Sequence, residues 1–90
     1  MVEQITDLSR PKVSRKARLR YEEVRQIDLL LLPERVVKLN ATAAAILRLC
    51  DGNRTVREIA EELEARFDQS GLTGDILEFL QNASEQRWIE

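Results

Sequence analysis

Residues 33–67 read PERVVKLNATAAAILRLCDGNRTVREIAEELEARF, and a change of period inside this stretch decides the fold. Arg35–Leu39 alternates, with Val37 and Leu39 on one side and Val36 and Lys38 on the other, as a short strand does. At Leu39 the period becomes helical. Asn40 or Thr42 can cap the first helix by accepting backbone N–H bonds, and Ala43, Ile46, Leu47 and Cys50 then share one face. Asp51-Gly52 is the expected stop, since glycine takes up the left-handed conformation that follows a helix. Thr55-Val56-Arg57-Glu58 has the form of a capping box. Behind it Val56, Ile59, Ala60, Leu63 and Phe67 recur at the spacing of a single apolar stripe.

Upstream, Ala17, Leu19 and Tyr21 alternate with Arg18, Arg20 and Glu22, which predicts a strand with one wet face. Glu22–Arg25 is a plausible turn, and residues 26–32 form a second, more apolar strand. Pro33 ends it by removing a ladder donor. Residues 1–16 read as a polar, flexible lead-in carrying Pro11 and the cations Arg10, Lys12, Arg15 and Lys16, so the domain proper is expected over 17–90. Downstream, Gln69-Ser70-Gly71 is a loop. Thr73 is a candidate cap for a third helix, whose Ile76, Phe79, Leu80 and Ala83 form one stripe. Trp88 and Ile89 are expected to fold back as a short terminal strand or plug. Three strands followed by three helices predict an α+β fold with an antiparallel N-terminal sheet. The short link at 51–54 joins two helices as in a helix-turn-helix unit, which makes the whole winged-helix-like.

Ninety residues allow one domain with one modest core, and an apolar content of 43% argues against disorder. The net charge is only -2, but it is unevenly placed: residues 1–40 carry nine Lys/Arg against six Asp/Glu, and residues 51–90 four against ten. The strand region is therefore mildly basic and suited to an acidic partner, whereas the helices repel phosphate. A DNA-reading helix presents Arg, Lys, Asn or Gln to the groove. The second helix here presents Arg57, Glu58, Glu61, Glu62, Glu64 and Arg66, so nucleic acid is not an expected partner.

The chemistry inventory is short. With no histidine and one cysteine, a Cys/His zinc site and a Ser-His or Cys-His nucleophile pair are excluded. Gly52, Gly71 and Gly74 are isolated and build no phosphate cradle. Glu58 with Glu62 and Glu61 with Glu64 belong to a solvated helix face. Neither an enzyme activity, nor a metal, nor a cofactor is expected. Cys50 has two readings, a sensor thiol beside Arg48 and Arg54 or a small buried hydrophobe, and its place on the apolar stripe favours the second. No apolar run is long enough for a signal peptide or a membrane span, and a lone cysteine makes no internal disulfide, so a cytoplasmic protein with no membrane partner is expected.

The segments LLPERVVKLNATAAAILRLCDG, RTVREIAEELEARF and DILEFLQ, followed by a terminal hydrophobic pair, resemble the PqqD family over roughly residues 11–89. The telling pieces are Pro33-Glu34-Arg35-Val36, Leu39-Asn40, Ile46–Gly52 and Thr55–Ile59, in that order and spacing. Two departures stand out: Arg25-Gln26 where the family has an Arg-Gly turn, and Gln86-Arg87-Trp88-Ile89 without the glycine that precedes the last apolar residues. The resemblance implies a peptide carrier in pyrroloquinoline quinone biosynthesis. Such a carrier binds a PqqA-type precursor peptide and presents it to a PqqE-type radical S-adenosylmethionine enzyme. Related domains recognise leader peptides in other peptide-modifying pathways, and that role, or less favoured a DNA-binding regulator, is the alternative.

The resemblance also implies where the peptide sits: as an added strand beside the third strand, packed against the third helix. The candidate peptide-binding residues are Arg35, Val36, Val37, Lys38 and Leu39 on the strand and Ile76, Leu77 and Leu80 on the helix. Edge-strand physics permits this independently, because an unpaired edge offers backbone donors and acceptors. Leu77 lies off the helix stripe, so that it and Val36 either line a groove or widen the core contact. The same open edge invites a second copy, while Arg35 and Lys38 oppose self-pairing. A weak, concentration-dependent homodimer is expected, with Glu22–Arg25 and Pro33–Glu34 as hinges for strand exchange.

Overall fold

The structure, a computed structural model, describes residues 4–90. Its elements are β1 (Arg18–Glu22), β2 (Ile27–Leu31), β3 (Val36–Leu39), α1 (Ala41–Arg48), α2 (Val56–Phe67) and α3 (Thr73–Glu85). The strands form one antiparallel meander in the order β1-β2-β3, the α+β arrangement indicated by the sequence. Leu19, Leu30 and Val37 make one cross-strand row. Leu30 is fully buried, and Leu19 and Val37 pack against the same core. α1 lies across this inner face of the sheet, and α2 and α3 pack on each other behind it. Ala43, Ala44 and Ala45 are all buried, and their small side chains let α1 approach the sheet closely.

The starts of α1 and α2 carry side-chain caps. The Asn40 side chain accepts from Ala43 N–H at 2.7 Å. Thr55 and Glu58 make the reciprocal bonds of a capping box, at 3.1 Å and 2.8 Å. Thr73 does not cap α3; it is the first helical residue, and no side chain at Leu72 serves as a cap. Instead the Glu64 carboxylate reaches across from α2 and accepts from Leu72 N–H at 2.8 Å.

α1 ends at Arg48, short of the Asp-Gly stop. The reason is long-range: Cys50 C=O accepts from Val13 N–H at 3.1 Å, and Lys12 bridges Asp51. Residues 49–51 leave the helix to pair with the N-terminal segment, and Gly52 (φ 84) makes the following bend while donating to Pro11 C=O. Cys50 is nonetheless buried, and its thiol donates to Ile46 C=O. Burial, with the Asp51 charge as a smaller cause, pushes that thiol up to about 12.

From Ile5 onward the lead-in is laid against the domain; residues 1–3 lie outside the described residues. Arg57 N–H donates to Asp7 C=O and Val56 N–H to Ser9 C=O, both at 2.9 Å. These are donors that α2 has no internal partner for. The Arg57 guanidinium also pairs with the Asp7 carboxylate at 2.6 Å. Val13 bridges Ile89, and Lys12 and Glu90 exchange backbone bonds, so the C-terminal residues fold back onto this strap. Among the described residues no helix is long and apolar enough to cross a membrane.

Candidate functional site

Strand order leaves β1 and β3 as the two edges of the sheet. Which backbone groups β3 exposes follows from its pairing with β2. Leu32 N–H donates to Arg35 C=O across the two-residue turn at 2.9 Å, so 32 and 35 are a hydrogen-bonded pair. Antiparallel pairs alternate between bonded and non-bonded. Leu30↔Val37 and Asp28↔Leu39 are therefore bonded as well, and the N–H and C=O groups of Val36 and Lys38 point away from the sheet. Among the described residues no bridge or strand pairs along that side.

Beyond one end of this edge, where β3 runs into Asn40, an apolar groove opens among the three helices. α1 covers the sheet directly, while α3 stands off from β3 and is held in line with it at both ends. At one end the Arg35 guanidinium donates to Gln86 Oε1 at 2.9 Å. At the other, Asn40 and Ala43 face Ile76 and Phe79 across an apolar cavity of about 200 Å³. Ile46, Leu63, Phe67 and Leu72 complete its walls, and Thr42 and Asp75 its rim. A cavity of about 150 Å³ accommodates a benzene molecule, so this one has room for a single large apolar side chain. Phe67, expected in the core stripe of α2, is instead 40% exposed at the cavity mouth.

The candidate residues divide into groups. Val36, 59% exposed, and Lys38 stand on the open edge. Val37 and Leu39 turn inward against the core and bond β2, so they support the edge rather than present it. Arg35 ties the edge to α3. Ile76 lines the cavity, but Leu80 is fully buried in the core. Leu77 shares a flank of α3 with Gln81 and Ser84 by helical spacing, and Gln81 Oε1 accepts from Ile5 N–H, so this flank faces the N-terminal strap. On the opposite flank Gln86 meets Arg35, just ahead of β3, and Phe79 lines the cavity beside Asn40. Phe79, which the sequence reading placed only on the core stripe, lines the cavity, and Leu77 packs against the core from the other flank. Asn40, Ala43 and Ile46 were read only as cap and core, because nothing local marks a core stripe as the floor of a groove.

No group of three or more His, Cys, Asp or Glu among the described residues is placed to hold a metal ion. The perturbed carboxylates are structural. The N–H groups of Asn53 and Arg54 hold Asp51 below its usual range, and the N–H and hydroxyl of Thr55 do the same for Glu58.

The sequence model of the family described as coenzyme PQQ synthesis protein D (PqqD) matches residues 29–89. The PqqA binding protein of Methylococcus capsulatus is 43% identical over 72 residues, covering 80% of this chain and 77% of that one. Its counterpart in Azotobacter vinelandii is 44% identical over 81 residues, covering 89% and 88%. Among solved structures, the solution NMR structure of the PqqD truncation of Methylobacterium extorquens PqqCD is similar, with a TM-score of 0.82 at 36% identity over 96% of this chain and 94% of that one. That domain is described as a functional, stand-alone recognition element for ribosomally synthesised and post-translationally modified peptides. The crystal structure of PqqD from Xanthomonas campestris has a TM-score of 0.59 at 30% identity, covering 96% and 98%.

Proposed function

The chain belongs to the PqqD family, and from that premise we propose that it binds the PqqA-type precursor peptide as a fourth strand on the β3 edge. It then carries the peptide to a PqqE-type radical S-adenosylmethionine enzyme. The observation that carries this reading is the coincidence of an unpaired strand edge with an apolar groove that opens at its end. Backbone bonds to Val36 and Lys38 supply affinity. Every second peptide side chain turns into the groove, where Phe79, Ile76 and the cavity beyond supply specificity. The relatives are named as binding proteins, and holding the peptide without transforming it is what this inventory of residues suits. Incubated alone with the peptide, the protein leaves its mass unchanged; a cross-linked or cleaved product would contradict the carrier role.

The binding mode is tested by substitution at one position. Lys38→Ala keeps the backbone donor and weakens peptide binding by no more than about threefold, the range of an exposed charge. Lys38→Pro removes the outward N–H yet is compatible with an edge strand, so the protein folds and peptide binding is lost. Val37→Pro is no substitute, because it removes a bond to Leu30 and disrupts the sheet itself. Equal binding by the Lys38→Pro and Lys38→Ala variants would rule out strand addition here. We propose that the same edge also pairs weakly with a second copy at high concentration, a dimer that saturating peptide dissociates in a sedimentation experiment.

A further inference from the structure

The outer face of the sheet belongs neither to the core nor to the peptide groove. Side chains alternate along each strand, which places Ile27, Leu29 and Leu31 of β2 opposite the buried Leu30. None of the three packs against the hydrophobic core. The pairing register puts Arg18 and Val36 on either side of Leu31, and Arg20 and Lys38 on either side of Leu29. An apolar strip is thus bordered by cations on both sides. Arg18, Arg20 and Lys38 pair with no carboxylate among the described residues, and the one acid on this face, Glu22, is already paired with Arg25. Among the described residues, the helix packed on the sheet is α1, on the opposite face with Leu30.

We propose that this face docks an acidic amphipathic helix of the enzyme that receives the peptide, an inference that rests on the carrier role above. Its dimensions suit one helix. Five residues of β2 span about 13 Å and the three strands about 10 Å in width, which is two to three turns of a helix about 10 Å across. Apolar side chains at i, i+3 or i+4 and i+7 cover Ile27, Leu29 and Leu31, and Asp or Glu on the flanks meet Arg18, Arg20 and Lys38. A second copy of this chain is disfavoured, since it brings the three cations against their own counterparts. A single-stranded nucleic acid is disfavoured because such platforms stack bases on aromatic rings, and the strip's half-buried side chains are aliphatic. Because β3 contributes to both surfaces, a peptide strand added at its edge widens this face, and the enzyme meets carrier and peptide together.

The test uses the full chain, its precursor peptide and the radical S-adenosylmethionine enzyme of the same organism. Binding of the enzyme to the peptide-loaded carrier is measured for the parent, for the Arg18→Glu/Arg20→Glu variant and for Leu29→Gln. β1 lies at the far edge from the peptide, so the double variant retains peptide affinity within about twofold while enzyme binding falls at least about tenfold, the loss expected when charge complementarity is reversed. Leu29→Gln weakens the enzyme in the same direction. Parent-like enzyme binding by both variants would overturn the proposal while leaving the carrier role standing. So would a parallel loss of peptide affinity in folded variants, which would assign the face to the peptide. Failure of the parent itself to bind the enzyme would overturn delivery, and this inference with it.

Discussion

Gln26 and Arg87 both take up the left-handed conformation that favours glycine, with φ of 56° and 65°. A residue with a Cβ is strained there by roughly 1 kcal/mol relative to glycine, part of which glycine returns through its greater freedom in the unfolded chain. Gln26→Gly and Arg87→Gly are each expected to raise stability by about 0.5 kcal/mol, additively because the sites are distant. An unchanged or lower urea midpoint would count against the turn geometry. Cys50 gives a pH dependence of known sign. Its folded pKa is raised from 9.0 to about 12, so the folded chain keeps the proton after the unfolded chain has lost it. Its contribution is complete below pH 9 and declines as pH rises from there towards about 12. Cys50→Ala should flatten the loss of stability between pH 8 and pH 10 relative to the parent; identical slopes would mean an accessible thiol. The buried hydrophobe was legible in the sequence because its stripe was. The end of α1 was not, because Val13, far upstream, draws Cys50 out of the helix.

Among elements, α2 shows how far local signals reach. Thr55 and Glu58 announce its start, and the capping box is present with both bonds. What the sequence conceals is that the next donors, on Val56 and Arg57, are met by carbonyls of the lead-in. A segment without periodicity reads as a flexible end, yet backbone acceptors are carried by every residue whatever its side chain. Deleting residues 1–10 is therefore expected to cost about 2 kcal/mol, at roughly 1 kcal/mol per lost bond; an unchanged urea midpoint would restore the reading of a dispensable lead-in. On α3 the stripe was legible but its flanks were not. Only the Arg35–Gln86 contact reveals which side meets the residue just ahead of β3. Phe79→Ala should accordingly weaken peptide binding about tenfold, the loss of roughly 1.4 kcal/mol of apolar contact. Leu77→Ala, on the flank towards Ile5, should leave the affinity within about twofold. The reverse ranking, read by calorimetric titration, would place the peptide on the other side of the helix.

At the scale of the whole molecule, a small sheet serves three surfaces. Its inner face builds the core with α1, its outer face presents Arg18, Arg20 and Lys38 around an apolar strip, and its β3 edge opens onto the groove under Phe79. The sequence carried the strand alternation and the helix stripes, hence the layers. It did not carry the register, which settles that Val36 and Lys38 face outward while Val37 and Leu39 are committed to β2. That alternation allows the peptide site to be tested amide by amide. Hydrogen exchange, followed by NMR with and without saturating precursor peptide, reports which backbone donors acquire a partner. Strand addition predicts new protection at the amides of Val36 and Lys38, with those of Val37 and Leu39, already bonded to Leu30 and Asp28, changing far less. Protection gained at Leu19 and Tyr21 on the β1 edge, or on neither edge, would contradict it.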